Sequence, residues 1–149
     1  MIEHAHFSIE RSYDAAPAEV FAAWSSAEAK WRWFAGPEDW EVEPFELDFR
    51  VGGRERSLGG PKGGPVNTYN AVYWDIVENE RIVYTYEMLM DGRRTSVTLA
   101  TVELRAEGDG TRLVLREDGA FFDELTDPAL REDGWGSLLD ALGRALFNS

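Results

Sequence analysis

Few residues of this 149-residue sequence have the type and spacing to do chemistry. His4 and His6 are its two imidazoles, and it has no cysteine. A His-x-His pair on one strand face can ligate a metal, but the third and fourth ligands of a zinc site have no histidine or thiolate to draw on. A ragged strand end accounts for the pair better. A serine–histidine nucleophile also lacks its base, since no histidine stands elsewhere in the chain. Neither a metal nor a cofactor is expected. Acids are abundant, but Glu41, Glu43, Glu46 and Asp48 fall at alternating exposed positions and read as a solvated face.

Arg11, Asn70 and Glu117 differ, because their register sets them among apolar residues. A charge in such a place must be paired, reach water along its own stem, or serve a function. One reading is that Arg11 and Glu117 sit at strand ends and reach water. The other makes them polar handles of a cavity lined by Trp33, Phe34, Trp74, Tyr84, Tyr86, Met88, Trp135 and Leu139. Ligand sites are apolar with a few placed polar groups, which this set fits, although the same aromatics would equally fill a core. If the cavity were catalytic, Glu117 with Tyr84 or Tyr86 is the acid–base pair on offer. A raised Glu117 pKa would support that role, and an exposed, normally ionised one would count against it.

The element that must cover such a cavity is the C-terminal stretch from Asp127-Pro128 to Leu146-Phe147. Asp127 suits an N-cap and Pro128 the first helical position. Trp135, Leu138, Leu139, Leu142 and Leu146 recur at helical spacing, and a helix of roughly 20 residues is about 30 Å long, enough to cross a small domain. Gly134 and Gly136 flank Trp135, which suggests a close approach to another surface, for packing or for a ligand.

Upstream, residues 4–13 alternate as a strand with Phe7, Ile9 and Tyr13 on one face, followed by short helices over 17–24 and up to Phe34, the second capped by Ser25 or Ser26. Phe45, Leu47, Phe49 and Val51 alternate as a half-exposed strand, Gly52-Gly53 turns, and residues 54–58 return. Residues 59–65, rich in glycine and proline, read as a mobile loop without the spacing of a phosphate-binding loop. Strands are expected over 69–77, 82–90, 95–105 and 111–117, with Asp91-Gly92 as a hairpin turn and 119–126 as a loop. Helices set apart from a run of strands make the chain α+β: a curved antiparallel sheet of about six or seven strands around one long helix, in a single domain over 1–149.

Hydrophobic content of 44% and aromatic content of 13% place the chain among globular proteins. A formal net charge of -13 repels phosphate backbones and anionic membranes, so neither nucleic acid nor a membrane is expected as a partner. No basic leader or membrane-length apolar run is present, so a cytoplasmic location is the expectation.

Several motifs in order resemble one family. Arg11-x-Tyr13-x-Ala15-x-Pro17-x-x-Val20-Phe21-x-x-Trp24, Trp33-Phe34, Val51-Gly52-Gly53, the run from Ile76 to Tyr86, Gly110-Thr111-Arg112-Leu113-x-Leu115, and Gly134-Trp135-x-x-x-Leu139-x-x-Leu142 are similar to the activator of heat-shock-protein-90 ATPase homologue family. The sequence departs from the family pattern at Glu78-Asn79, where prolines are usual, at Glu38-Asp39, and in the glycine-rich 59–65 segment. The resemblance implies the START-related helix-grip fold, also called SRPBCC, in which sheet and C-terminal helix enclose an apolar cavity.

Three functions follow as expectations. The first is binding of a hydrophobic or aromatic small molecule in that cavity. The second is a co-chaperone-like domain contacting a chaperone or another protein; the eukaryotic activator, as the family implies, uses a separate N-terminal domain for this, and 149 residues leave no room for one. The third is a cyclase- or hydrolase-type enzyme using the same cavity. Oligomeric state is left open by the sequence.

Overall fold

The computed structural model describes residues 1–147. The strands are β1 (Ile2–Tyr13), β2 (Trp40–Val42), β3 (Glu46–Leu47), β4 (Arg54–Pro61), β5 (Asn67–Val77), β6 (Arg81–Met90), β7 (Arg93–Glu107) and β8 (Gly110–Phe122). Two short helices, α1 (Pro17–Ala22) and α2 (Ala27–Phe34), follow β1, and α3 (Pro128–Phe147) ends the described chain. The strands form one open antiparallel sheet in the order β1-β8-β7-β6-β5-β4-β2, with β3 paired to β4. Its inner face wraps α3 and the two short helices. This is the helix-grip arrangement, with eight strands where six or seven are expected from the sequence.

Local chemistry sets the elements. The Asp127 Oδ1 accepts from the Ala129 N–H at 2.9 Å, satisfying an orphan donor at the start of α3. Asp127→Ala is therefore expected to cost about 1 kcal/mol, read as a lowered urea midpoint. Ser26, not Ser25, caps α2 by accepting from the Ala29 N–H at 3.1 Å. Asp91 and Gly92 both take positive φ (51° and 79°), as the tight turn between β6 and β7 demands.

Four expectations are corrected. Residues 119–122 are strand rather than loop, because Gly119 and Ala120 pair with both β1 and β7. The 59–65 loop shrinks to a turn, since Gly59, Gly60 and Pro61 continue β4 against β2. The strand expected through Phe45–Val51 pairs only at Glu46 and Leu47, although Phe45, Leu47 and Phe49 do turn one half-buried face inward. Gly134 meets no neighbour; the close approach of α3 to the sheet lies a few turns on, at Gly143, where a Cβ would stand 3.1 Å from the Tyr13 ring.

The apolar stripe of α3 seats on the sheet as its spacing predicts. Trp135, Leu139 and Leu142 are buried, and Leu138 and Leu146 pack beside them. Inward positions of the sheet supply the opposite wall: Ile9 and Tyr13, Tyr69 and Tyr73, Ile82, Tyr84 and Tyr86, Ala100 to Leu104 in alternation, then Leu113 and Leu115.

Candidate functional site

β5 and β6 project four tyrosines, Tyr69, Tyr73, Tyr84 and Tyr86, onto the inner face, because period-2 alternation sends every second residue there. Registers Ala71–Tyr86 and Tyr73–Tyr84 set them side by side. Ring centroids lie 4.8 Å apart for Tyr69–Tyr86, 5.8 Å for Tyr73–Tyr84 and 6.1 Å for Tyr84–Tyr86. Opposite them, Trp24, Trp33, Phe34 and Trp135 form a second aromatic layer. Trp24 stacks on Trp135 at 6.3 Å, and Phe34 contacts Tyr69 at 5.2 Å and Trp135 at 5.8 Å. Trp33, Phe34, Tyr84, Tyr86, Trp135 and Leu139 thus come together, with Met88 packed at their margin. At these spacings the rings fill the space between sheet and α3.

Polar clusters stand at both ends of this layer. At one end Lys30, from α2, and Glu55, from β4, form an ion pair at 2.7 Å with both side chains fully buried. The Tyr73 hydroxyl donates to the same Glu55 oxygen, and the Lys30 ammonium lies 4.5 Å from the Phe34 centroid and 5.3 Å from that of Trp24. Burial lowers the Lys30 pKa, against the opposing pull of Glu55.

At the other end Glu117 is 2% exposed, and its Oε1 accepts from the Tyr86 hydroxyl at 2.6 Å. Burial outweighs that hydrogen bond and the Arg131 charge, and the Glu117 pKa is pushed up to about 8. Tyr86 Oη also accepts from Trp135 Nε1 and from Arg131 Nη1, each at 3.2 Å. Six buried side-chain atoms in and around the two layers make no hydrogen bond among the described residues: Trp24 Nε1, Glu55 Oε2, Tyr69 Oη, Tyr84 Oη, Thr98 Oγ1 and Glu117 Oε2.

Three expected site residues stand elsewhere. Trp74 is 60% exposed on the outer face, donating from Nε1 to Thr85 Oγ1 at 2.8 Å. Alternation from inward Ala71 and Tyr73 sends it there, and the register shift between Tyr73 and Asp75 changes the parity only of the residues that follow. Asn70 also faces outward, bonded to Glu87, because Tyr69 and Ala71 take the inward positions. Arg11 leans over the β1 edge, donating to Asp140 at 2.8 Å and to the Gly136 carbonyl at 3.4 Å. It borders an acidic surface groove of about 560 Å³ that includes Glu10, Glu132, Asp133 and Asp140. Arg11 therefore shares no partner with Glu117. Its water-reaching alternative holds; for Glu117 that alternative fails.

Lys30, Glu55, Arg131 and Thr98 were not singled out in the sequence. Signals existed for two: Lys30 precedes Trp33 and Phe34 by three and four residues, and Arg131 precedes Trp135 by four, so each shares a helix face with a buried ring. Among the described residues no group of three or more His, Cys, Asp or Glu is placed to hold a metal ion, and no helix is long and apolar enough to cross a membrane.

Residues 14–146 match the family described as Activator of Hsp90 ATPase homolog 1-like protein. An uncharacterized protein from Rhizobium leguminosarum is 42% identical over 100% of this chain and 98% of its own, with a TM-score of 0.94. A Rhizobium loti protein is 40% identical over 97% of this chain and 99% of its own, with a TM-score of 0.91. An AHSA1-like protein from Aeromonas hydrophila, 23% identical over 97% of this chain and 93% of its own (TM-score 0.72), shares the fold. Among curated proteins no match was found. The chain thus belongs to the Activator of Hsp90 ATPase homolog 1-like family.

Proposed function

We propose that this protein binds an aromatic small molecule between the inner face of its sheet and α3. The observation that carries this reading is the set of unpaired polar atoms buried among stacked rings. A buried donor or acceptor left unmade costs about 1–3 kcal/mol, so Glu55 Oε2, Tyr69 Oη, Tyr84 Oη, Thr98 Oγ1 and Glu117 Oε2 together disfavour a layer that serves only as core. A flat ligand carrying polar groups would satisfy several of them while keeping the ring contacts. Phe34 is the half-buried ring of this layer, at the last residue of α2, and its displacement is the simplest way to admit such a ligand.

The test is native mass spectrometry of the purified protein with a thermal-shift screen of aromatic compounds. A co-purified molecule, or a Tm that rises with ligand concentration, is the expected result. The response should be lost in Tyr84→Ala or Trp135→Ala, with folding verified by circular dichroism, and kept in Trp74→Ala. A screen without any response would return the rings to the role of a filled core.

Acid–base chemistry is a second reading, favoured by one observation: Glu117 is a buried carboxyl held near neutral pKa against a tyrosine. The co-chaperone-like reading rests on the family description, and a mixing assay for ATPase stimulation tests it directly.

A further inference from the structure

Arg131 is the feature that the aromatic layer does not explain. It stands in the first turn of α3, half-buried, with its guanidinium 5.0 Å from the Phe121 centroid and 5.6 Å from that of Tyr86. Its Nη1 donates to Tyr86 Oη, and its Nη2 donates to Ser96 Oγ at 2.9 Å. Both acceptors are neutral, and Arg131 forms no ion pair among the described residues, in a chain with 28 acids and 15 lysines and arginines.

The acid on the far side of Tyr86 does not balance that charge. Tyr86 Oη spends its proton on Glu117 Oε1 and accepts from both Arg131 and Trp135, so its capacity is used. Burial keeps Glu117 protonated at neutral pH. Its own proton then belongs on Oε2, the oxygen without a partner. Thr98 Oγ1, also unpaired and buried, faces the same narrow crevice, which is walled by Phe7, Phe121, Gly119 and Pro128. Gly119 keeps that crevice open: a Cβ there would lie 2.8 Å from the Phe121 ring and 3.0 Å from Thr98 Oγ1. Two free donors and an apolar wall therefore meet in this crevice at one end of α3, and the Arg131 cation stands beside it, against Phe121 and Tyr86, rather than in its wall.

We propose that this end of the site takes a carboxylate, and hence that the ligand is an aromatic monocarboxylate whose two oxygens accept from Glu117 Oε2–H and Thr98 Oγ1–H and whose charge is balanced by Arg131. The inference rests on the ligand-binding reading above and supplies the chemical class. Two donors plus a partly desolvated arginine select a carboxylate over the matching amide, because the amide leaves the cation unbalanced and offers one acceptor oxygen where the carboxylate offers two.

The groups facing Glu117 are Tyr84 and Tyr86 from β6 and Arg131 from α3, while β1 presents Phe7, and β7 presents Thr98 and Ala100. Both tyrosines are held above their ordinary pKa by burial and stay neutral through pH 9. Glu117 alone changes charge across that range, and once ionised it repels a bound carboxylate.

The experiment titrates benzoate and its uncharged analogue benzamide into the protein by calorimetry. Benzoate is expected to bind at least tenfold more tightly than benzamide at pH 7, and to weaken by up to about tenfold by pH 9, the limit that a Glu117 pKa of about 8 allows. Arg131→Gln should weaken benzoate at least tenfold and leave benzamide within about twofold, a gap that a general loss of folding would not produce. Glu117→Gln should flatten the decline between pH 7 and pH 9. Equal affinity for the two probes, or benzoate binding indifferent to Arg131→Gln, overturns the carboxylate assignment and leaves the ligand-binding reading standing. Binding of other aromatics in the thermal-shift screen, with neither probe bound, does the same. Absence of binding by every aromatic compound overturns both.

Discussion

Lys30→Met is expected to destabilise the fold by about 3–5 kcal/mol, a large fraction of the 5–15 kcal/mol typical of a domain. The substitution keeps the length and apolar stem of the side chain but strips the charge from a pair buried on both sides. Glu55 would then keep the Tyr73 hydroxyl as its remaining hydrogen-bond partner, with Oε2 already unpaired, in a low-dielectric interior that disfavours an isolated carboxylate. The ammonium also gives up its place against the faces of Phe34, Trp24 and Tyr84. Urea denaturation at pH 7 measures the loss directly. The double variant Lys30→Met/Glu55→Gln should recover most of it, since the amide still accepts from Tyr73 and no bare charge remains. A double variant as unstable as the single one would show that packing, and not charge, sets the cost. A single-variant loss below about 1 kcal/mol would place the pair in the weak class of exposed ion pairs.

That pair also marks where the sequence stops being legible. The long helix was readable because each of its signals is local: an Asp-Pro start, a stripe at 3.6-residue spacing, an arginine near the end. The β6–β7 hairpin was readable because the backbone of its turn needs Asp91 and Gly92. Lys30 and Glu55 lie 25 residues apart on different elements, and no periodicity links them. Their meeting depends on how α2 seats on β4, which is decided by the whole sheet. Glu55 was hidden further by its strand, in which Arg54, Arg56 and Leu58 take the outward positions opposite Glu55 and Ser57, so a reader of hydropathy has no apolar face to follow.

Trp74 failed for a different reason. β5 carries apolar residues on both faces, so hydropathy does not say which face its tryptophan takes, whereas alternation from inward Ala71 and Tyr73 sends Trp74 outward. Its large ring, one of those expected to line the cavity, is on the far side of the sheet. Residues 119–122 failed because glycine and a nearby acid resemble a loop, whereas pairing on both sides of β8 holds them in strand. Glu117 takes the inward face that its register predicts because it sits in an unbroken stretch of β8, between inward Leu115 and Gly119, where period two applies.

The stability of this protein should fall as pH rises from about 4.5 to about 8, in a way that Glu117→Gln abolishes. The sign follows from the two states. In the unfolded chain the Glu117 carboxyl titrates near its ordinary 4.5, and in the folded chain burial moves that value to about 8. Between those limits the folded state holds a proton that the unfolded state has lost, so raising the pH favours unfolding. The contribution is complete below pH 4.5, diminishes by up to about 1.4 kcal/mol per pH unit within the window, and is exhausted above pH 8, where both states are ionised. Glu87, held below its ordinary value by the hydrogen bond from Arg94, and Asp123, lowered by the N-terminal ammonium, act with the opposite sign and at lower pH. The clean region is therefore pH 6 to 8, above the titration of those surface carboxylates. Urea midpoints collected there should decline for the wild type and stay level for Glu117→Gln, whose neutral amide can still accept from Tyr86. A wild-type midpoint that is flat from pH 6 to 8 would mean that Glu117 ionises in the folded state at its ordinary pKa. The proton on Oε2 would then be gone at pH 7, and Arg131 would face a carboxylate of its own chain across Tyr86 instead of one brought by a ligand.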